Sequence, residues 1–224
     1  MAAIIAEGTT VWGLQLPVQS KSTAYRQPWE LDAGPAELAR VATAADRAGA
    51  FYLAVCDHVG IPRPADEVMS DTWYDTVATL GWLAALTERV RLVSHVYVLP
   101  YRHPLQTAKS FLTLDALSGG RAVLGAGAGH LESEFALLGA DYQGRGRAVE
   151  DAIPVIRAAF AEEYPTIGGP GAEVGVGMSP RPARPGGPPI WIGGSSAAAM
   201  RRAAQLSDGW LPQGPPKEGM RAGV

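Results

Sequence analysis

Short apolar runs alternate with amphipathic segments along most of this chain, and that alternation fixes its architecture. Val11–Pro17 is an apolar strand ending at proline, and Pro35–Gly49 sets Leu38, Val41, Ala42 and Ala45 at helical spacing with Gly49 as a stop. Phe51–Cys56 is strand-like and runs into Asp57-His58; Thr72–Glu88 is a helix with Asp71 as its expected N-cap. Arg91–Leu99 is a third strand, followed by a helix over Pro104–Leu117. Ser118-Gly119-Gly120 then turns the chain into a fourth strand, Arg121–Gly125. Helices are expected over Glu132–Leu138 and Arg145–Glu163. Pro165–Pro189 is crowded with glycine and proline and reads as a long loop, with one extended piece around Val174–Met178. Pro189–Gly193 makes a fifth strand, Ser196–Leu206 a helix and Gly209–Leu211 a sixth strand, and Pro215–Val224 begins as another helix.

Strands regularly separated by helices predict an α/β fold with a parallel sheet and right-handed crossovers. A doubly wound sheet and a (β/α) barrel both satisfy the order. The barrel is favoured because nearly every strand ends in a polar or glycine-rich turn, and because no GxGxxG follows the first strand. One domain spanning residues 1–224 accommodates the whole pattern.

Composition narrows the function classes. With 47% hydrophobic and 18% charged residues and a net charge of −3, the chain is an ordinary globular sequence without a basic stripe for nucleic acid or acidic membrane. No run approaches the ~20 apolar residues of a membrane span, and the first residues lack a secretory signal, so a cytoplasmic location is expected. The single cysteine, Cys56, excludes an internal disulfide and reads as a buried, inert thiol.

The chemistry gathers at the strand ends. Asp57-His58 sets an acid beside a group that titrates near neutrality. A lone histidine is more often structural, but a barrel strand end is where functional groups are presented. Ser94-His95 lies in the third strand, Gly127-Ala128-Gly129-His130 ends the fourth, and Gly193-Gly194-Ser195-Ser196 ends the fifth before a helix. The last of these is a credible phosphate seat, because backbone N–H groups and the helix dipole both favour an anion there. A purely structural glycine turn fits the same residues. No metal site is expected, since no other histidine or carboxylate stands at ligand spacing from Asp57-His58. Nucleophile elbow, CxxC, HExxH and P-loop patterns are also missing. Arg102-His103-Pro104 reads as a loop and helix cap. Trp12, Trp73, Trp82, Trp191 and Trp210 read mainly as core, with Trp73 near the loop after strand two and able to line a pocket. Glu132 and Glu134 fit the dipole of their helix, and Arg145-Gly146-Arg147 reads as surface or as partners of those acids.

The ordered set DH (57–58), LPYRHPLQTAK, LDALSGGRAVLGAGAGHLESEFALLG, RG (145–146), PPIWIGGSS and SDGWLP resembles the luciferase-like monooxygenase superfamily from about Val11 to Pro212. Within it the chain resembles especially the oxidoreductases dependent on the deazaflavin coenzyme F420. The resemblance implies a (β/α)8 TIM-type barrel with the coenzyme at the carboxyl face of the strands, and a small organic substrate exchanging hydride with it. FMN, in a flavin-dependent monooxygenase, is the alternative. It implies His58 as the catalytic group for proton transfer and Asp57 as a coenzyme contact. Ser94 and His95 become the bulge under the ring, often with a non-prolyl cis peptide; Ala128 and Gly129 become the turn beside the ring, and Gly193, Gly194, Ser195 and Ser196 the phosphate turn. Such barrels have eight strands in about 250 residues or more, whereas six are evident here. A member truncated at its C-terminus is therefore expected, in which the site is mostly encoded but exposed sheet edges oppose its assembly. A homodimer, or an inactive remnant completed by a partner chain, is compatible with the same pattern.

Overall fold

The computed structural model describes residues 4–23, 25–168 and 174–212. The helix start expected over Pro215–Val224 lies outside them. Among the described residues nine strands and seven α-helices follow in order: β1 (Gly13–Gln15), α1 (Pro35–Arg47), β2 (Tyr52–Val55), α2 (Asp66–Met69), α3 (Thr76–Leu86), β3 (Arg91–Ser94), β4 (Tyr97–Val98), α4 (Pro104–Ser118), β5 (Ala122–Gly127), α5 (Glu132–Leu138), α6 (Arg145–Ala161), β6 (Thr166–Ile167), β7 (Val174–Gly175), β8 (Ile190–Gly193), α7 (Ala197–Leu206) and β9 (Gly209–Leu211). The main sheet runs β1-β2-β3-β5-β8-β9 with every pair parallel, and β4 also pairs with β5. All carboxyl ends of these strands therefore point the same way.

Side-chain alternation explains the layering. Leu53, Val55, Leu92, Leu124, Ile190 and Ile192 join the large core with Leu38, Leu80, Phe111, Ile153 and Phe160 from the helices. Their neighbours in sequence, Ala54, Val93, Val123 and Trp191, form a second cluster with Leu211 on the opposite face of the sheet. That second cluster is the packed interior of a partial barrel. Tyr52 and Trp191 meet across it edge to face, 6.2 Å between ring centroids. Each large aliphatic side chain fully buried in this way contributes about 1.5–3 kcal/mol.

The amino-end face is pinned by polar buttons rather than by chemistry. Asp46 accepts from the backbone N–H groups of Glu88, Arg89 and Val90. Arg121 donates to the carbonyls of Ala84, Val90 and Ser118 and to the Thr87 hydroxyl. Burial opposes the charge on Asp46, yet the three N–H donors outweigh it and hold its carboxyl below the ordinary 3.8.

Several local expectations are corrected. The α3 N-cap is Asp75, whose Oδ1 accepts from Ala78 N at 2.7 Å, and not Asp71. The intervening backbone is already used: Trp73 bridges to Ser20, and Tyr74 N donates to Gln19 O. The third strand is broken after Ser94, with a cis peptide between His95 and Val96, and pairing resumes at Tyr97. Strand β5 continues to Gly127. The long glycine- and proline-rich loop contains an antiparallel β6–β7 pair. Trp12, Trp82 and Trp210 are 50%, 39% and 39% exposed, so of the five tryptophans considered only Trp191 belongs fully to the core.

Candidate active site

Because β2, β3, β5 and β8 are consecutive neighbours in one parallel sheet, their polar ends share one rim. Contacts between successive strand ends tie that rim together. Asp57, just beyond β2, is buried, and its carboxylate takes both arms of Arg102 at 2.7 and 2.8 Å, Val98 N at 2.8 Å and the Thr76 hydroxyl at 3.1 Å. The Arg102 guanidinium also lies over the Tyr97 ring, 4.0 Å from its centroid. This fully bonded carboxylate anchors the β4–α4 connection to the end of β2. Asp57, expected as a coenzyme contact, thus holds four donors of its own chain in this structure. Arg102, read from sequence as a loop residue, is the ionic partner that sequence reasoning missed. His103 does cap α4, its Nδ1 accepting from Leu105 N.

Ser94 is likewise wholly buried. Its hydroxyl donates to Gly125 O at 2.9 Å and accepts from Gly125 N at 3.0 Å, stapling β3 to β5. It holds the bulge expected at Ser94-His95, where the non-prolyl cis peptide joins His95 to Val96. His95 is half-buried beside Gln15, 3.2 Å from Nδ1 to Oε1, and burial lowers its imidazole below the ordinary value. Gln15 also donates to the Cys56 sulfur, and burial pushes that thiol up to about 11, the behaviour of an inert cysteine.

The bulge places Val96 against Gly127 and Gly193, where a Cβ on either glycine would overlap the valine side chain. A cleft of about 610 Å³ opens beside it, lined by Val96, Ala128, Gly129, His130, Gly193, Gly194 and Ser196, with Arg145 and Arg202 on its far wall. That volume suits a cofactor-sized ligand. Gly194 has φ +118°, a conformation that L side chains rarely adopt, and it turns β8 into α7. Ser196 caps α7 through Ala199 N, leaving the first-turn N–H groups of Ala197 and Ala198 without intrahelical partners. Arg202 Nε pairs with Glu150 at 2.9 Å, and its guanidinium lies where a Cβ on Gly146 would sit. Gly146 thus makes room for Arg202. Arg145 stacks on Tyr142, 3.9 Å from the ring centroid, and donates to Tyr142 O; Arg147 pairs with Asp151. Neither arginine pairs with Glu132 or Glu134, contrary to one sequence reading.

The cleft therefore gathers Ala128, Gly129, Gly193, Gly194 and Ser196 of the expected coenzyme residues. Ser195 lies between two of its lining residues. Asp57 and Ser94 stand behind it, and His95 and His58 lie at its margin. The His58 ring is edge to face with His130, 5.7 Å between centroids, and with Trp73 at 4.4 Å. His130 faces the cleft; desolvation first, and then the charge of His58, hold its imidazole below the ordinary value. Behind His58 lies Glu134, wholly buried, with Oε2 2.7 Å from His58 Nδ1. Glu134 lies in the first turn of α5, as the dipole reading placed it, but it is fully buried there, like Phe135. No local signal marked it, because its partner His58 is 76 positions away. Among the described residues no group of three His, Cys, Asp or Glu side chains is arranged to hold a metal ion, and no helix is long and apolar enough to cross a membrane.

A parallel partial barrel whose strand ends surround one cleft defines a protein of the α/β-barrel class. The chain belongs to the luciferase-like monooxygenase family, whose model matches residues 13–224. It is 31% identical over 185 residues to an F420-dependent glucose-6-phosphate dehydrogenase of Nakamurella multipartita, an alignment covering 80% of this chain and 52% of that protein. In structure it is similar to the coenzyme F420-dependent tetrahydromethanopterin reductase of Methanopyrus kandleri (TM-score 0.65, 24% identity, covering 91% of this chain and 55% of that one). It is also similar to the oxygenating constituent of 3,6-diketocamphane monooxygenase from Pseudomonas putida in complex with FMN (TM-score 0.66, 17% identity). The latter alignment covers 87% of this chain and 55% of that one. The chain spans less than two thirds of the length of the curated relatives it matches.

Proposed function

We propose that this protein is an oxidoreductase that moves hydride between coenzyme F420 and a small organic substrate. The observation that carries the reading is the cleft itself: a glycine turn, the N-terminus of a ten-residue helix and two guanidinium groups converge on one space beside the Val96 bulge. That donor set fits a phosphate-bearing coenzyme. The first turn of α7, with Arg145 and Arg202, would hold the phosphate; Val96, Ala128 and Gly129 would support the ring. When bound there, the deazaflavin supplies the hydride donor or acceptor. The chain's own part is to position that ring against the bulge and to hold a titratable imidazole, His58, at the margin. A relative at 31% identity named for F420 dependence supports the coenzyme assignment.

A second reading, FMN with oxygen chemistry, is favoured by one observation: a similar structure is described in complex with FMN. Absorbance and fluorescence titration of the purified chain with each coenzyme separates the two. Saturable binding of F420, with FMN at least ten times weaker, is expected; tighter binding of FMN would overturn the assignment.

A further inference from the structure

We propose that Glu134 is the positioning residue that fixes which nitrogen of His58 can exchange a proton, locking the ring in its Nδ1–H form with Nε2 presented to the rim. Four donors converge on this one buried carboxylate. Oε2 lies 2.7 Å from His58 Nδ1 and accepts from the Tyr101 hydroxyl at 2.9 Å. Oε1 accepts from Val59 N at 2.6 Å and Gly60 N at 3.2 Å. Burial alone would raise Glu134, but the His58 bond, the Val59 and Gly60 N–H groups and the charge of His58 displace it below its ordinary value. It is therefore an ionised acceptor without a proton to give. A carboxylate 2.7 Å from a ring nitrogen requires that nitrogen to carry the hydrogen. None of the described residues bonds Nε2, while Trp73 and His130 pack edge to face on the ring and fix its plane.

The surroundings leave Glu134 as the one group able to set this state. Tyr101 stays protonated, because burial and then the neighbouring Glu134 charge push its phenol far up. Asp57 and Arg102 neutralise one another at 2.7 Å. Trp73 does not titrate, and His130 offers a second imidazole held toward its neutral form. When a proton moves from substrate to Nε2, the imidazolium that forms keeps both hydrogens, and the fixed Glu134 charge stabilises it while remaining ionised.

Glu134→Gln tests this with a specific expectation. The glutamine carbonyl oxygen must take the two backbone N–H groups of Val59 and Gly60, which cannot act as acceptors. Its NH2 group then faces His58, whose Nδ1 must accept, so the hydrogen moves to Nε2. Side-chain ¹⁵N NMR of the full chain without coenzyme is the primary readout: the wild type shows the Nδ1–H tautomer, and E134Q shows Nε2–H. In turnover assays E134Q is expected to lose about 10²-fold or more in kcat with KM little changed. Tyr101→Phe, which removes the other donor to Oε2, leaves the tautomer as in the wild type. An Nε2–H ring in the wild type, or an unchanged tautomer in E134Q, overturns the proposal. Should E134Q fail to fold, the wild-type tautomer alone decides. Only the turnover arm rests on the coenzyme reading above, so a chain that binds no deazaflavin yet shows the tautomer exchange would sink that reading and leave this one standing.

Discussion

Arg102→Ala is expected to cost the fold about 3–5 kcal/mol, measured as loss of unfolding free energy in urea. The side chain is largely buried, and its removal strips Asp57 of both bonds from the guanidinium. Asp57 would then keep a charge in a site where only Val98 N and the Thr76 hydroxyl remain to satisfy it. Against a domain stability of about 5–15 kcal/mol, that is a large fraction. The same pair anchors the β4–α4 connection to β2, so the loss falls on the segment that carries the bulge. A double variant, Asp57→Asn with Arg102→Leu, removes both charges and is expected to recover part of the loss, because an uncompensated buried charge costs more than a missing pair. A single variant within about 1 kcal/mol of wild type would place the pair among ordinary surface bridges.

His58→Ala is expected to lower turnover by about 10²–10⁴-fold while coenzyme affinity is retained. The imidazole does not line the cleft; it meets the cleft only through His130, at 5.7 Å between ring centroids. Its loss therefore removes a proton-transfer group without removing a phosphate or ring contact. Single-turnover measurement of the deazaflavin absorbance change, with any small substrate that supports turnover in the wild type, gives the rate; a fluorescence titration gives the affinity. A parallel fall in affinity would make His58 a binding residue, and an unchanged rate would remove it from the chemistry.

The strand–helix order and the rim were readable because they rest on short-range signals. Short apolar runs such as Arg91–Ser94 and capping or glycine turns such as Ser196 and Gly194 act within a few residues. What the sequence hid is long-range pairing. Arg102 and Asp57 are 45 positions apart, and Glu134 and His58 are 76 apart, so no local pattern distinguishes these acids from solvated ones. Glu134 does lie in the first turn of α5 and Arg102 in the loop before α4, as the sequence placed them, and only their distant partners were hidden. The bonds by which the Ser94 hydroxyl staples β3 to Gly125 were hidden in the same way. The Asp71 cap failed because a contact with Ser20 takes up the preceding backbone.

The central physical claim is that one edge of a curved parallel sheet seats a redox coenzyme, tail at the start of α7 and ring on the Val96 bulge. Diffraction from crystals of the chain grown with coenzyme F420 tests it most directly. Difference density placing the phosphate within hydrogen-bond reach of the Ala197–Ala198 amides and Arg202, and the ring against Val96, is the result expected. Ordered coenzyme density elsewhere on the molecule, with this cleft filled only by solvent, would contradict it.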